Sequence, residues 1–524
     1  MTKYLINRIL RSVLSVIIVV AVIMILIYSL MNKQQIFAAD PVYTKQKNNQ
    51  KETYQMQQWE RFGYLDYVPF ADYLTELQKS GELNAEDHAV AAKLGKTTAN
   101  DSDLTKKYAA EFKKYYEKQG YEVVRLPGLT QGNTKKWRDG GEPKLYAYKE
   151  VHILVRLWDY ITGIFQVDNI HYVQEDVGER GLTFTFYDPA YGGEKFSPAI
   201  IGNGTQHKYL LYFNDRFPYI HQNLLTVQLG TSFSVKKGVD VFNTMTDAQG
   251  ALEYAQITYP SGIEENTADD IHTATYSKGS LQTSALNQKY YVDDYTNITT
   301  RKDGLSKMGY SFVIGIIAVI LAYLLAVPLG ITIALNNDKL IDKLGTLYIV
   351  FITAVPSLAY IFIFKAIGNS IGLPSTFKMD EATALMYVLP IVSLALPSVA
   401  NLMKWLRRYM IDQMNSDYVK FARSGGLSEG EIFRKHILKN AIIPIVHGIP
   451  GSVLGAMTGA IITERVYVVP GVGNVLTEAI NAYDNGVIVG VALFYAILTV
   501  TSVILGDVLM SLMDPRISFT SKAR

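Results

Sequence analysis

Cysteine is absent from all 524 residues. Disulfides, thiolate metal sites and cysteine nucleophiles are therefore excluded, and a large outside region built without disulfides fits a bacterium lacking a strongly oxidising periplasm. Charge of one sign is also lacking, since 50 Lys and Arg against 48 Asp and Glu leave a formal +2. A nucleic-acid binder needs a concentrated basic surface, so that class has no support. No paired carboxylates, serine triad or metal cluster stand at usable spacing, and no catalytic residue is assigned. The stretch LGKTT at 94–98 lacks the upstream glycine of a phosphate-binding loop, because Val90 occupies that position. Internal repeats and low-complexity tracts are missing as well, which excludes a solenoid or a simple tether.

What is present is apolar material, segregated along the chain. Residues 5–31 place Lys3, Arg8 and Arg11 before an apolar run long enough for the roughly 30 Å core of a bilayer. The run is longer than the apolar part of a signal peptide and has no clear cleavage site before Gln34, although Ala38 and Ala39 follow; it reads as an uncleaved first span. Five further spans are expected at about 310–335, 344–364, 385–403, 445–463 and 488–510. Pro328, Pro356, Pro390, Pro397 and Pro450 fall within them, as membrane helices tolerate. Basic residues gather at the start, in NNDKLIDK, from KWLRRYM through RKHILKN and in the tail, so both termini and the loop near 421 are expected to be cytoplasmic.

The division that follows is a first helix over 1–33, an extracytoplasmic domain over 34–305 and a permease core over 306–524 with a cytoplasmic loop at 412–444. The domain mixes a helical pattern, DLTKKYAAEFKKYYEKQ stopped by Gly120, with alternating stretches such as YEVVRL and LTFTFY, and is expected to be α+β. The fold class is thus an α-helical integral membrane protein with six transmembrane helices and a large α+β domain inserted between the first two.

The polar loop has local structure of its own. Asp417–Ser424 has the length of two helical turns, Gly425 and Gly426 supply a left-handed stop, and Ser428 with Glu431 forms a capping box for a second helix. Leu427 and Ile432 stand at the staple positions, and the second helix runs on toward a kink at Pro444. A DNA-binding helix pair is excluded because both arms lead into spans. Between a plain connector and a docking element for a cytoplasmic partner, docking fits better, with Tyr418, Phe421 and Leu427 as anchors for a groove.

The segment DYVKFARSGGLSEGEIFRKHILKNAIIPIV, at 417–446, resembles the cytoplasmic coupling loop of ABC importer permeases, specifically the B-type subunit of the oligopeptide and dipeptide branch. The similarity continues through LAVPLGITIAL, GAIITERVYVVPGVGNVLTEAI and the closing DPR at Asp514–Arg516. LWDYITGIF and NLLTVQLGTSFSVKKGVDVF look like the family's first external loop with large insertions, similar to the streptococcal Ami-type oligopeptide permeases. Lys420, Phe421 and Ala422 stand over the E-A-A of the family's coupling motif, so only Ala422 matches it.

The resemblance implies a type I importer permease fold in a Gram-positive cell membrane, with no cofactor on this chain. ATP and magnesium would be handled by two cytoplasmic ATPase subunits. A second homologous permease, an extracellular peptide-binding lipoprotein, an oligopeptide substrate and membrane lipid are the other implied partners. Coupling would fall to Asp417, Tyr418, Phe421, Ala422, Arg423, Gly425, Gly426, Leu427, Ser428, Glu431 and His436.

Other positions carry alternatives. Gly451, Gly455 and Gly459 share one helix face, which serves either packing inside this chain or a contact with the second permease. Glu464 beside Arg465 reads as a local ion pair or, with Pro470, Gly471 and Gly473, as part of an outer gate. Asp507, Asp514 and Arg516 read as anchors at the inner interface. His447 reads as an internally hydrogen-bonded histidine more readily than as a proton or substrate contact. The competing functions are a cell-surface sensor or wall regulator that moves no solute, and a channel-like exporter.

Overall fold

Uninterrupted apolar sequence builds the longest helices, because a helix satisfies its own backbone wherever water is excluded. The computed structural model describes residues 2–513 except 31–32, 39, 47, 129–140, 173–179, 188–192, 195, 206–208, 214–217, 221–223, 253, 259–263, 268–301, 303 and 380–382. In chain order the bundle helices are α1 (Thr2–Leu30), α2 (Lys307–Leu335), α3 (Leu340–Ala354), α4 (Ser357–Ser370), α5 (Leu385–Met414), α6 (Asp417–Ser424), α7 (Ile449–Tyr467), α8 (Val472–Asn481) and α9 (Asn485–Met513). Among the described residues four helices, α1, α2, α5 and α9, are long and apolar enough to cross a membrane singly.

The other two expected spans are broken. The stretch 344–364 is not one helix: α3 and α4 meet at 108°. Val355 is extended, with ψ 130, because the proline after it disfavours helical geometry, and Pro356 opens α4. The stretch 445–463 bends by 41° where the arm Glu429–His447 meets α7. Pro328, Pro390 and Pro397 lie inside α2 and α5 without ending them.

At the centre α2 packs along α5. Ile314, Ala318, Ala322 and Ala326 recur every four residues on α2 and meet Ile391, Ala395, Val399 and Met403. The alanines let the two backbones approach closely. α1 lies against α9, where Arg8 Nη2 reaches Asp507 Oδ2 at 3.1 Å.

The long segment between α1 and α2 folds apart from this bundle as a mixed α and β unit. Strands β1 (Leu65–Pro69), β2 (Glu122–Gly128) and β3 (Gly141–Glu150) pair antiparallel in the order β1-β3-β2. Because side chains alternate along β3, Ala147 faces a core with Phe70, Leu74 and Phe112, while Tyr146 faces Met56, Leu65 and Leu126. Helix Asp103–Lys118 starts on Ser102 and stops before Gly120, whose φ is +82. The LGKTT stretch is held by Asp101, which accepts from Gly95 N at 2.7 Å and from both terminal nitrogens of Arg125. A four-stranded antiparallel sheet follows, from Gly181–Thr185 to Pro218–Ile220.

Residues 229–247 return to the bundle. Leu229, Val241 and Met245 share one core with Val20 and Met24 of α1, Val472 of α8 and Val487 of α9. Asp484 accepts from Phe233 N, Ser234 N and Ser234 Oγ at 2.7–2.8 Å, and Asn485 Nδ2 donates to Tyr64 at 2.6 Å. This segment and the loop after α5 therefore sit at opposite ends of the bundle: α2 begins beside the one and ends beside the other.

Candidate functional site

The loop after α5 is a compact corner. On α6, Val419 and Ala422 are buried while Tyr418, Lys420, Phe421, Arg423 and Ser424 face outward. The helix ends in a Schellman motif: Leu427 N donates to Ala422 O at 3.3 Å and Gly426 N to Arg423 O at 3.1 Å. Gly426 alone is left-handed, with φ +84, whereas Gly425 has φ −75 and is an ordinary C-cap. The two glycines thus do not share the stop.

Ser428 then caps the next arm. Its side chain accepts from Glu431 N at 3.3 Å and Glu431 reaches back to Ser428 N at 3.4 Å, a complete capping box. Leu427 packs on the cluster that contains Ile432, so the staple closes too. Arg423 spans the turn with two bonds to Glu429, at 2.6 and 3.0 Å. The Lys420 ammonium beside Asp417 holds that carboxyl below its ordinary range.

Beneath the corner Val419, Ala422, Ile432, Ile437 and Ala441 pack with Ala334 of α2 and Leu406 and Met410 of α5. Tyr418 is tied down as well: it bonds Gln413 and accepts from Asn440 Nδ2 at 3.0 Å, with its ring 6.3 Å from that of His436. Leu427 is half-buried. Of the three expected anchors only Phe421, 79 % exposed, stands free of the corner.

The second arm is not a uniform α-helix. Phe433–Leu438 forms a π segment between Glu429–Ile432 and Lys439–Ala441. Nothing in the residue pattern signals it.

The corner's base is locked by a pair that the sequence reading missed. Arg407 on α5 donates Nε and Nη2 to the two carboxylate oxygens of Asp342 on α3, each at 2.6 Å. Asp342 is buried, and Asp338 N and the Asn337 side chain complete the cluster. The available signal was Asp342 itself, an acid two residues into an apolar helix start, with a lysine to either side of it within NNDKLIDK.

At the opposite end Glu464 makes no ion pair with Arg465. It is 1 % exposed, accepts from Ser311 Oγ at 2.6 Å and Asn474 N at 3.2 Å, and so caps the N-terminus of α8. Ser311 Oγ in turn accepts from Val472 N at 2.9 Å. Arg465 is exposed, with Nη1 3.3 Å from Asn474 Oδ1. Gly471 and Gly473 are required here, since a Cβ on either would collide with the Glu464 carboxylate. Pro470 stands half-buried beside them, and Lys365 Nζ donates to Val466 O at 2.6 Å across the end of α7.

Gly451 and Gly455 are exposed, and an added Cβ at either would meet nothing within 4 Å. Packing of these two within the chain is thereby excluded; Gly459 lies on the same helix. His447 is not internally hydrogen-bonded at Nδ1; its ring lies against Gly506 of α9. Asp514 and Arg516 lie outside the described residues.

Residues 326–519 match the family described as the binding-protein-dependent transport system inner membrane component. Over 529 aligned residues, 100% of this chain and 99% of the relative, the protein is 34% identical to the oligopeptide transport system permease protein AmiC of Streptococcus pneumoniae. The chain belongs to the oligopeptide and dipeptide permease family. The dipeptide transport system permease protein DppB of Bacillus subtilis is 29% identical over 214 residues, covering 40% of this chain and 68% of that protein. That shorter match leaves more than half of this permease without a counterpart, whereas the match to AmiC runs through the long segment between α1 and α2.

Proposed function

We propose that this permease forms half of the pathway of an ATP-driven oligopeptide importer and receives its driving force through the corner at 417–440. The observation that carries the reading is the contrast within that corner. A Schellman stop, a capping box and a cross-turn ion pair lock the backbone, and one large apolar side chain, Phe421, is left exposed. A rigid base with a single apolar anchor suits insertion into a groove on another protein. An ATPase gripping Phe421 would move α5 and the arm together, since both pack on the same buried cluster. Such a grip biases the bundle only if the ATPase binds its two states with different affinity.

In the same reading each bent pair counts as one crossing, giving six spans. The termini and the corner lie in the cytoplasm and residues 34–305 outside. ATP and magnesium are used by two ATPase subunits, a lipoprotein delivers peptides, and the bare Gly451 and Gly455 face meets a second permease of the same family. Glu464 with Pro470, Gly471 and Gly473 would stand at the outer gate, and Asp507, Asp514 and Arg516 at the inner interface.

The absence of native cysteine makes the test direct. A Phe421→Cys variant should crosslink to a cysteine-bearing ATPase subunit in inside-out vesicles, and Phe421→Ala should abolish uptake of labelled oligopeptides at unchanged membrane level. Undiminished uptake by Phe421→Ala would remove the coupling role from this corner.

A further inference from the structure

The helix Ile153–Gly163 of the long segment is apolar on two sides. Leu157, Tyr160 and Ile164 pack inward with Ile27 and Tyr28 of α1 and the buried valines of α9. Leu154, Val155 and Trp158 are exposed, Trp158 at 68 %. The ribbon that follows continues this surface. Phe165–Val167 pairs antiparallel with Leu225–Val227, and alternation sends Phe165, Val167 and Leu225 to one face. All three are exposed, Val167 at 82 %, while Gln166 bonds Gln228. An apolar surface this continuous marks a contact with another phase or protein.

Its depth is fixed by Arg156. The guanidinium carbon lies 3.8 Å from the centre of the Tyr28 ring and 4.0 Å from that of Tyr64. Tyr28 stands in the last turn of the apolar stretch Ile6–Ser29. The helix therefore lies against α1 where its apolar run ends, and Val22, Ile25 and Leu26, in the two turns of α1 before Tyr28, are exposed. At 1.5 Å per residue it is about 16 Å long, too short to cross a bilayer and suited to lying along one. Trp is the side chain favoured at that boundary.

We propose that Ile153–Gly163 and the ribbon Phe165–Val167/Leu225–Val227 are seated in the outer leaflet, with lipid as their partner. Two observations favour lipid over a protein. The helix that carries the patch packs at the last turn of the apolar stretch Ile6–Ser29, the depth at which an acyl region gives way to headgroups. The helix also carries only two charges, Arg156, held between two tyrosine rings, and Asp159, on the wall of a cavity of about 270 Å³ beside α9. A protein interface would be expected to bring a polar rim. The consequence is an attachment of the long segment to the bilayer itself, besides its covalent joins to α1 and α2 and its docking on the bundle through Leu229, Val241 and Asp484. Naming the outer leaflet rests on the orientation proposed above; the contact with lipid does not.

The cysteine-free chain allows single cysteines at Leu154, Trp158, Val167, Gln166 and Glu86 in the complete transporter. Nitroxides at 154, 158 and 167 in proteoliposomes should relax more with oxygen than with a water-soluble nickel chelate, and the order should reverse at 166. Preference for the chelate at 158 and 167 would overturn the proposal, and so would shielding from both agents, which signifies a protein contact. A membrane-impermeant maleimide on whole cells should label Glu86→Cys. Labelling only after permeabilisation would reject the orientation while leaving the oxygen result to decide lipid contact.

Discussion

Gly426 and Gly430 stand four residues apart on the same corner, and each has open space where a Cβ would go. Only Gly426 has φ +84, so Gly426→Ala should cost about 1–2 kcal/mol of left-handed strain. Gly430→Ala should stabilise the arm by about 0.4–1 kcal/mol through the unfolded chain. Peptide uptake per inserted permease should therefore fall in the first and hold in the second. Phe421→Ala removes a side chain that stabilises little here, so thermal stability in detergent should change by less than about 0.5 kcal/mol although uptake is lost. The stop and cap of this corner were legible because they depend on residues within a few positions of each other. Glu464 was not: neighbours on a helix diverge by about 100°, and its partners Ser311 and Asn474 arrive from other elements.

At the scale of elements, the α7–α8 turn depends on one carboxylate meeting several donors. Glu464→Ala would leave the Gly473 and Asn474 amides without an acceptor, at about 1–3 kcal/mol for each that water does not reach, and Ser311 Oγ with only the long bond to Lys307 O at 3.4 Å. The thermal midpoint of the purified transporter should drop clearly, and less in Glu464→Gln, which keeps an acceptor oxygen. The helices themselves were readable from the length of their apolar runs. Which proline breaks a helix was not: Pro356 turns the chain by 108° while Pro390 and Pro397 are absorbed within α5. That difference lies in what surrounds each proline, and a linear pattern does not carry it. In the long segment, Arg125 holds the Asp101 carboxyl below its usual 3.8. A lowered folded value means that this pair contributes fully above about pH 4 and is lost as pH falls through the lowered value. Asp101→Asn should accordingly flatten the acid limb of unfolding and lower stability at neutral pH.

Across the whole molecule, the hold between the long segment and the bundle concentrates on Asp484, buried and accepting three hydrogen bonds from residues 250 or 251 positions away. Asp484→Ala should speed proteolysis within 229–247 while leaving the insertion of α1 and α9 intact, which a time course of fragments would show. The α+β character of that segment was legible from alternating strands, but its docking was not, since such separations leave no local trace. At the other end, the π segment Phe433–Leu438 lies between the corner and the bend before α7. A π turn is an α-helix carrying one surplus residue. Passing that residue along a helix rotates the residues it passes by about 100°, one step at 3.6 residues per turn, and leaves those beyond it facing as before. Under the coupling proposed for Phe421, a surplus residue driven past the bend and through α7 would reach Gly451 and Gly455 as the turn of a screw, swinging their bare face toward or away from a neighbour with no helix broken.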